Sequence, residues 1–119
     1  MITKNELLER TKRFSHRCVK LALSLPNNKL GNHLQGQLIR SSTAVPANYR
    51  AACIAQTKKS FVAKLSIVIE ECDESYFWLQ FILDEKLISG NEIMELIQEA
   101  KELTSIFISS RKTATLNNK

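Results

Sequence analysis

Phe61, Leu65, Val68, Cys72, Ser75, Leu79 and Ile82 recur at alternating steps of four and three residues. A mean period of 3.5 puts all of them on one face of an α-helix, and it is the spacing at which helices pack side by side. The same rhythm runs through Leu7, Thr11, Phe14, Cys18, Leu21 and Leu25, and through Ile93, Leu96, Ala100, Leu103, Phe107 and Ser110. Leu30, Leu34, Leu38, Ser41, Val45 and Asn48 form a fourth stripe. Four amphipathic helices are predicted, at about residues 4–25, 29–55, 58–86 and 90–113, within one domain covering 1–119.

Local signals divide the chain at the same places. Thr3 with Glu6, and Ser89 with Glu92, have the spacing of capping boxes, and Thr57 is placed to cap the third helix. Pro26, Asn27 and Asn28 end the first helix with turn chemistry, and the tail TATLNNK is expected to fray. Pro46 lacks an N–H and crowds the carbonyl four residues earlier, so helix two is expected to bend or break briefly there. Long helices joined by short connections make antiparallel neighbours. The expected fold class is therefore all-α, an antiparallel up-down-up-down four-helix bundle. Three glycines, two prolines and 44% hydrophobic residues disfavour a turn-rich β fold and a disordered chain.

The longest uncharged apolar stretch, around Tyr76 to Leu83, is far short of the ~20 residues that span a bilayer. Met1 to Arg17 is rich in charge and has no apolar signal core, so a cytoplasmic protein without membrane contact is expected.

Few residues suit catalysis. Cys18, Cys53 and Cys72 are widely spaced without a C-x-x-C pattern, and His16 and His33 lack partners at metal-ligand spacing. Small core residues and surface histidines are the expected roles. The run Glu70, Glu71, Asp73, Glu74 has no E-x-x-H companion of the kind di-iron bundles use, and reads as a solvated face or a partner for arginines. No G-x-S-x-G elbow, Ser-His-Asp order or G-x-x-x-x-G-K-[ST] loop occurs. The expectation is a protein that is not an enzyme, with no catalytic residues, no cofactor and no metal.

Charge is more informative. Residues 1–64 hold 12 Lys and Arg against 2 acids, whereas residues 65–110 hold 2 against 10. Arg10, Arg13, Arg17 and Lys20 recur at steps of three, four and three, and so share one helix face; Lys58, Lys59 and Lys64 open the third helix. Such cations suit sequence-independent phosphate contacts, and these seven are the candidate nucleic-acid-binding residues. A merely solvated face, or one that neutralises the acidic half of a neighbouring subunit, fits the stripe equally well.

Within Tyr76–Leu83 the bulky side chains point in nearly every direction, more apolar surface than one seam requires. Tyr76, Phe77, Trp78 and Phe81 are the candidate oligomer interface. The segment RSSTAVPANYR, residues 40–50, lacks glycine and lies on the apolar seam of helix two, which argues against a phosphate-cradling loop. It reads instead as a structural polar network. Ser41, Ser42 and Thr43 would satisfy carbonyls near Pro46, Asn48 would bond across the bundle, and Arg40 or Arg50 would pair with Glu70 or Glu74.

The strings LIRSSTAVPANYRAA, KKSFVAKLSIVIEECDESYFWLQFI and EAKELTSIFISSRKT resemble the four-helix-bundle family encoded in intervening sequences of bacterial 23S ribosomal RNA genes. The resemblance runs from about Leu8 to Thr113. It includes Arg40, Ser41, Pro46, Ala47, Asn48 and Tyr49; Phe61, Lys64 and Leu65; Glu70, Asp73, Glu74, Ser75, Tyr76 and Trp78; and Glu99, Glu102 and Leu103. Ala51 departs from it, standing where the family usually has an acidic residue. The resemblance implies an antiparallel bundle assembling into a homopentamer. It also implies similarity to the accessory variability proteins of diversity-generating retroelements, basic pentamers that bind nucleic acid and a reverse transcriptase. The expected function is a non-enzymatic homo-oligomer that binds RNA or other structured nucleic acid, DNA included. The alternative is a protein-interaction scaffold with a protein partner and no nucleic-acid role.

Overall fold

In the computed structural model, which describes residues 1–117, the chain forms four helices: α1 (Lys4–Leu23), α2 (Lys29–Cys53), α3 (Lys58–Asp84) and α4 (Asn91–Leu116). Each packs against its neighbour in sequence, and α4 returns to α1, giving a bundle 51 Å long and 24 by 20 Å across. Rising residue numbers on one helix meet falling numbers on the next. Arg10 meets Glu99 and Arg17 meets Glu92; His33 meets Trp78 and Arg40 meets Glu71; Lys58 meets Asn117 and Ser66 meets Arg111. One end of the bundle thus gathers the α2–α3 connection with the start of α1 and the end of α4. The other holds the α1–α2 and α3–α4 connections.

The helix starts follow short-range chemistry. Thr3, Asn28 and Thr57 have extended backbone, and their side-chain oxygens accept from the N–H groups of Glu6, Gly31 and Ser60 at 3.1, 2.8 and 3.0 Å. Helix α4 differs from the expectation. Its N-cap is Gly90, with φ 106° and no side-chain hydrogen bond, so Ser89 does not cap it. The tail also departs from its expected fraying, because α4 continues through Thr113 to Leu116; residues 118 and 119 of the same expectation lie outside the described residues.

The core is the meeting of the four stripes. Leu7, Thr11, Phe14, Cys18, Leu21 and Leu25 are buried, as are Leu65, Val68, Cys72, Ser75, Leu79 and Ile82 from α3 and Ile93, Leu96, Ala100, Leu103 and Phe107 from α4. On α2 the stripe drifts: Leu34, Leu38, Ser41 and Val45 are buried as expected, but Tyr49 and Ala52 continue it in place of Asn48. Tyr49 sets its ring 5.0 Å from that of Phe107. Helix α2 runs unbroken through Pro46. Among the described residues no helix is long and apolar enough to cross a membrane.

Candidate nucleic-acid interface

The four cations of the α1 stripe, Arg10, Arg13, Arg17 and Lys20, have two fates. Arg10 donates from Nε and Nη2 to the two carboxylate oxygens of Glu99 at 2.7 and 2.6 Å, and from Nη2 to Glu102 at 3.0 Å. Arg17 repeats the arrangement, with Glu92 at 3.0 and 2.6 Å and Glu95 at 2.9 Å. These fork-to-carboxylate pairs hold each guanidinium protonated well above its usual range, chiefly through the hydrogen bonds to Glu99 and Glu92 and against the desolvation that opposes them. Arg13 and Lys20 are exposed and form no ion pair among the described residues.

Of these four candidate phosphate ligands, Arg10 and Arg17 join α1 to α4. The signal for this was present. Glu92, Glu95, Glu99 and Glu102 repeat the same three-four-three spacing with opposite charge.

Lys58, Lys59 and Lys64 lie elsewhere, at the α2–α3 end. Lys58 Nζ donates to the Asn117 carbonyl at 2.8 Å and forms no ion pair among the described residues. Lys59 is exposed and flanks a shallow hollow with Lys58, Val62 and Thr115, while Lys64 edges another with Ile54 and Ser60. Arg50 on the last turn of α2 and Lys112 near the end of α4 are also exposed at this end. Arg111 reaches only the Ser66 hydroxyl, at 3.2 Å. The seven candidate cations do not make one continuous patch. The structure adds Arg50, Arg111 and Lys112 to the three from α3.

The polar network on α2 and α3 is partly as expected. Arg40 pairs with Glu74 and approaches Glu71 at 3.5 Å, and Trp78 Nε1 donates to Glu74 at 3.0 Å. In the interior Ser75 Oγ donates to Ser41 Oγ at 3.0 Å. Arg50 and Glu70 are exposed and take no part. Asn48 does not reach across the bundle; its amide donates to the Ala44 carbonyl of its own helix at 2.8 Å. Glu71, Ser75 and Trp78 are members of the network that sequence reading did not assign. Ser42 Oγ is buried beside the Cys18 thiol and has no nitrogen or oxygen partner among the described residues.

Phe77, Trp78 and Phe81 form an aromatic group, with ring centroids 4.9 Å apart for Phe77 and Trp78, 6.5 Å for Trp78 and Phe81, and the His33 ring 5.7 Å from Trp78. Phe77 is 53% exposed. Tyr76 points to the other flank, where its hydroxyl accepts from Gln80 at 3.2 Å. The four candidate interface residues therefore divide between the α2 and α4 sides of α3.

Two of the three thiols, Cys18 and Cys72, are buried, and Cys53 is half-buried. Burial raises the thiol pKa of Cys18 far above its usual value and that of Cys72 to about 12, so both are protonated at neutral pH. Among the described residues no three His, Cys, Asp or Glu side chains gather as a metal-binding group.

Fold and contacts define an all-α four-helix bundle with one group of exposed cations at its α2–α3 end. The chain belongs to the 23S rRNA-intervening sequence protein family, whose model matches residues 3–109. It is similar to a solved structure from Bacteroides thetaiotaomicron, described as a protein with unknown function from the S23 ribosomal protein family. The two share 27% sequence identity with a TM-score of 0.85, over 93% of this chain and 99% of that one. No curated protein matches the chain.

Proposed function

We propose that this protein is a non-enzymatic homo-oligomer, a pentamer, that binds RNA or another structured nucleic acid through a basic surface. The observation that supports it most is the set of cations that have no carboxylate partner among the described residues at the α2–α3 end: Arg50, Lys58, Lys59, Lys64 and Lys112. A cation that is already paired gains little from a phosphate, because it must give up one anion to take another. Unpaired lysines release counterions from the nucleic acid instead. Assembly repeats the patch, so that modest contacts act together on one long ligand. The exposed Phe77 with its aromatic neighbours favours a protein contact at the other half of α3, which serves self-association.

Binding of a labelled RNA measured against salt concentration tests the reading. Lys58→Ala, Lys59→Ala and Lys64→Ala combined reduce the slope of log affinity against log salt by about 3. Unchanged affinity and slope would sink the assignment of this surface. Sedimentation equilibrium tests assembly, and a monomer at micromolar concentration rules it out.

A further inference from the structure

Three kinds of surface follow one another along the exposed side of α3. The cations Lys58, Lys59 and Lys64 come first, the acids Glu70, Glu71, Asp73 and Glu74 next, and the aromatic side chains Phe77, Trp78 and Phe81 last. At about 1.5 Å of rise per residue, Lys64 and Phe77 stand roughly 20 Å apart along the helix.

A single strand is held by two devices together, a basic groove for its backbone and aromatic faces on which its unpaired bases stack. Here the devices are separated by a belt of carboxylates. Glu70 and Asp73 in that belt are exposed and have no cationic partner among the described residues, so their charge repels a phosphate chain passing over them. Among the described residues the basic end has no exposed aromatic side chain. Tyr49 is buried in the core, and Phe61 is half-buried along a groove with Ile106 and Thr113. The charged groups exposed there on α3 and the end of α2 are cationic, beside the apolar Ile54. Bare charge favours the ligand with the densest and most rigid array of phosphates, and a duplex carries about one charge per 1.7 Å of axis.

We propose that the ligand is base-paired nucleic acid, held by its phosphates at the α2–α3 end of the bundle, with no base stacked on the protein. This rests on the nucleic-acid reading above and adds the class of ligand. It also assigns the aromatic group away from the nucleic acid.

The test titrates the full-length protein with a blunt RNA duplex, a DNA duplex of the same length, and one of the RNA strands alone, chosen to have no self-pairing. The fluorescence of Trp78, the only tryptophan, is followed in the same samples. The two duplexes are expected to bind within about threefold of each other, and at least about tenfold more tightly than the single strand at equal salt. Trp78 emission is expected to stay unchanged at saturation. A single strand that binds as tightly as the duplexes, or that quenches Trp78, overturns this inference and leaves the broader reading in place. If none of the three probes binds at low salt, the broader reading falls with it.

Discussion

Arg10 and Glu99 meet through two side-by-side hydrogen bonds, and the same geometry recurs seven residues along α1, where Arg17 holds Glu92. The pairs differ in setting. The Arg10 and Glu99 side chains are 24% and 20% exposed, whereas those of Arg17 and Glu92 are 32% and 53% exposed. Water screens the second pair more, so Arg10→Ala is expected to lower unfolding free energy by about 1 kcal/mol and Arg17→Ala by about half that. Urea denaturation of both variants measures the difference. Arg10→Lys recovers only part of the loss, because an ammonium group does not reproduce the planar fork.

These pairs also set an acid limit. Hydrogen bonding from Arg17 lowers the Glu92 pKa below its usual 4.5, and Gln98 and then Arg10 do the same for Glu102. The unfolded chain then takes up protons at a higher pH than the folded one. The stabilisation is present above about pH 4.5 and is lost as pH falls through the lowered folded values. Thermal melts below about pH 5 are expected to fall less steeply for Arg17→Ala than for the parent protein.

Two buried serines are expected to respond in opposite directions. Ser75 Oγ is bonded to Ser41 Oγ and to the Glu71 carbonyl at 3.0 and 2.9 Å, so Ser75→Ala costs about 1 kcal/mol. Ser42 Oγ is buried with only the weakly accepting Cys18 thiol beside it among the described residues, and Ser42→Ala removes most of an unmet desolvation cost, raising stability by up to about 1 kcal/mol. Equal loss of stability in both variants would contradict this account.

Glycine substitutions give a third contrast. A Cβ on Gly31 would fall on the Pro26 carbonyl oxygen, where the chain turns tightly into α2, so Gly31→Ala is expected to cost about 1–3 kcal/mol. Gly36 lies in the same helix with nothing near its missing Cβ, and Gly36→Ala is expected to add about 1 kcal/mol. Midpoints of denaturation at fixed slope distinguish the two.

The stripes of α1 and α3 were legible in the sequence because a helix can bury a set of residues spaced by four and three in only one way. Phe14, Cys18, Val68 and Leu79 are buried as that spacing requires. On α2 Leu30 is exposed, and the buried residues Leu34, Leu38, Ser41, Val45, Tyr49 and Ala52 follow the true helical period of about 3.6, so the face reaches Tyr49 where a strict four-three spacing expects Asn48. The roles of Arg10 and Arg17 were less accessible, since a cation's worth to a ligand depends on what stands opposite it across the chain. Periodicity describes one helix at a time. The partner of Arg10 lies 89 positions away.

The spacing that joins α1 to α4 does not by itself choose their alignment. Both charge patterns repeat every seven residues, so sliding α1 by seven positions, about 10 Å, would offer Arg17 to Glu99 and Glu102 and keep half of the pairing. The apolar stripe repeats at the same interval, but its sizes do not. Leu7, Phe14 and Leu21 would exchange holes, as would Thr11, Cys18 and Leu25, forcing a phenyl ring into a space shaped for leucine. Charge brings these two helices together, and the unequal volumes beneath it select the one alignment in which they lock.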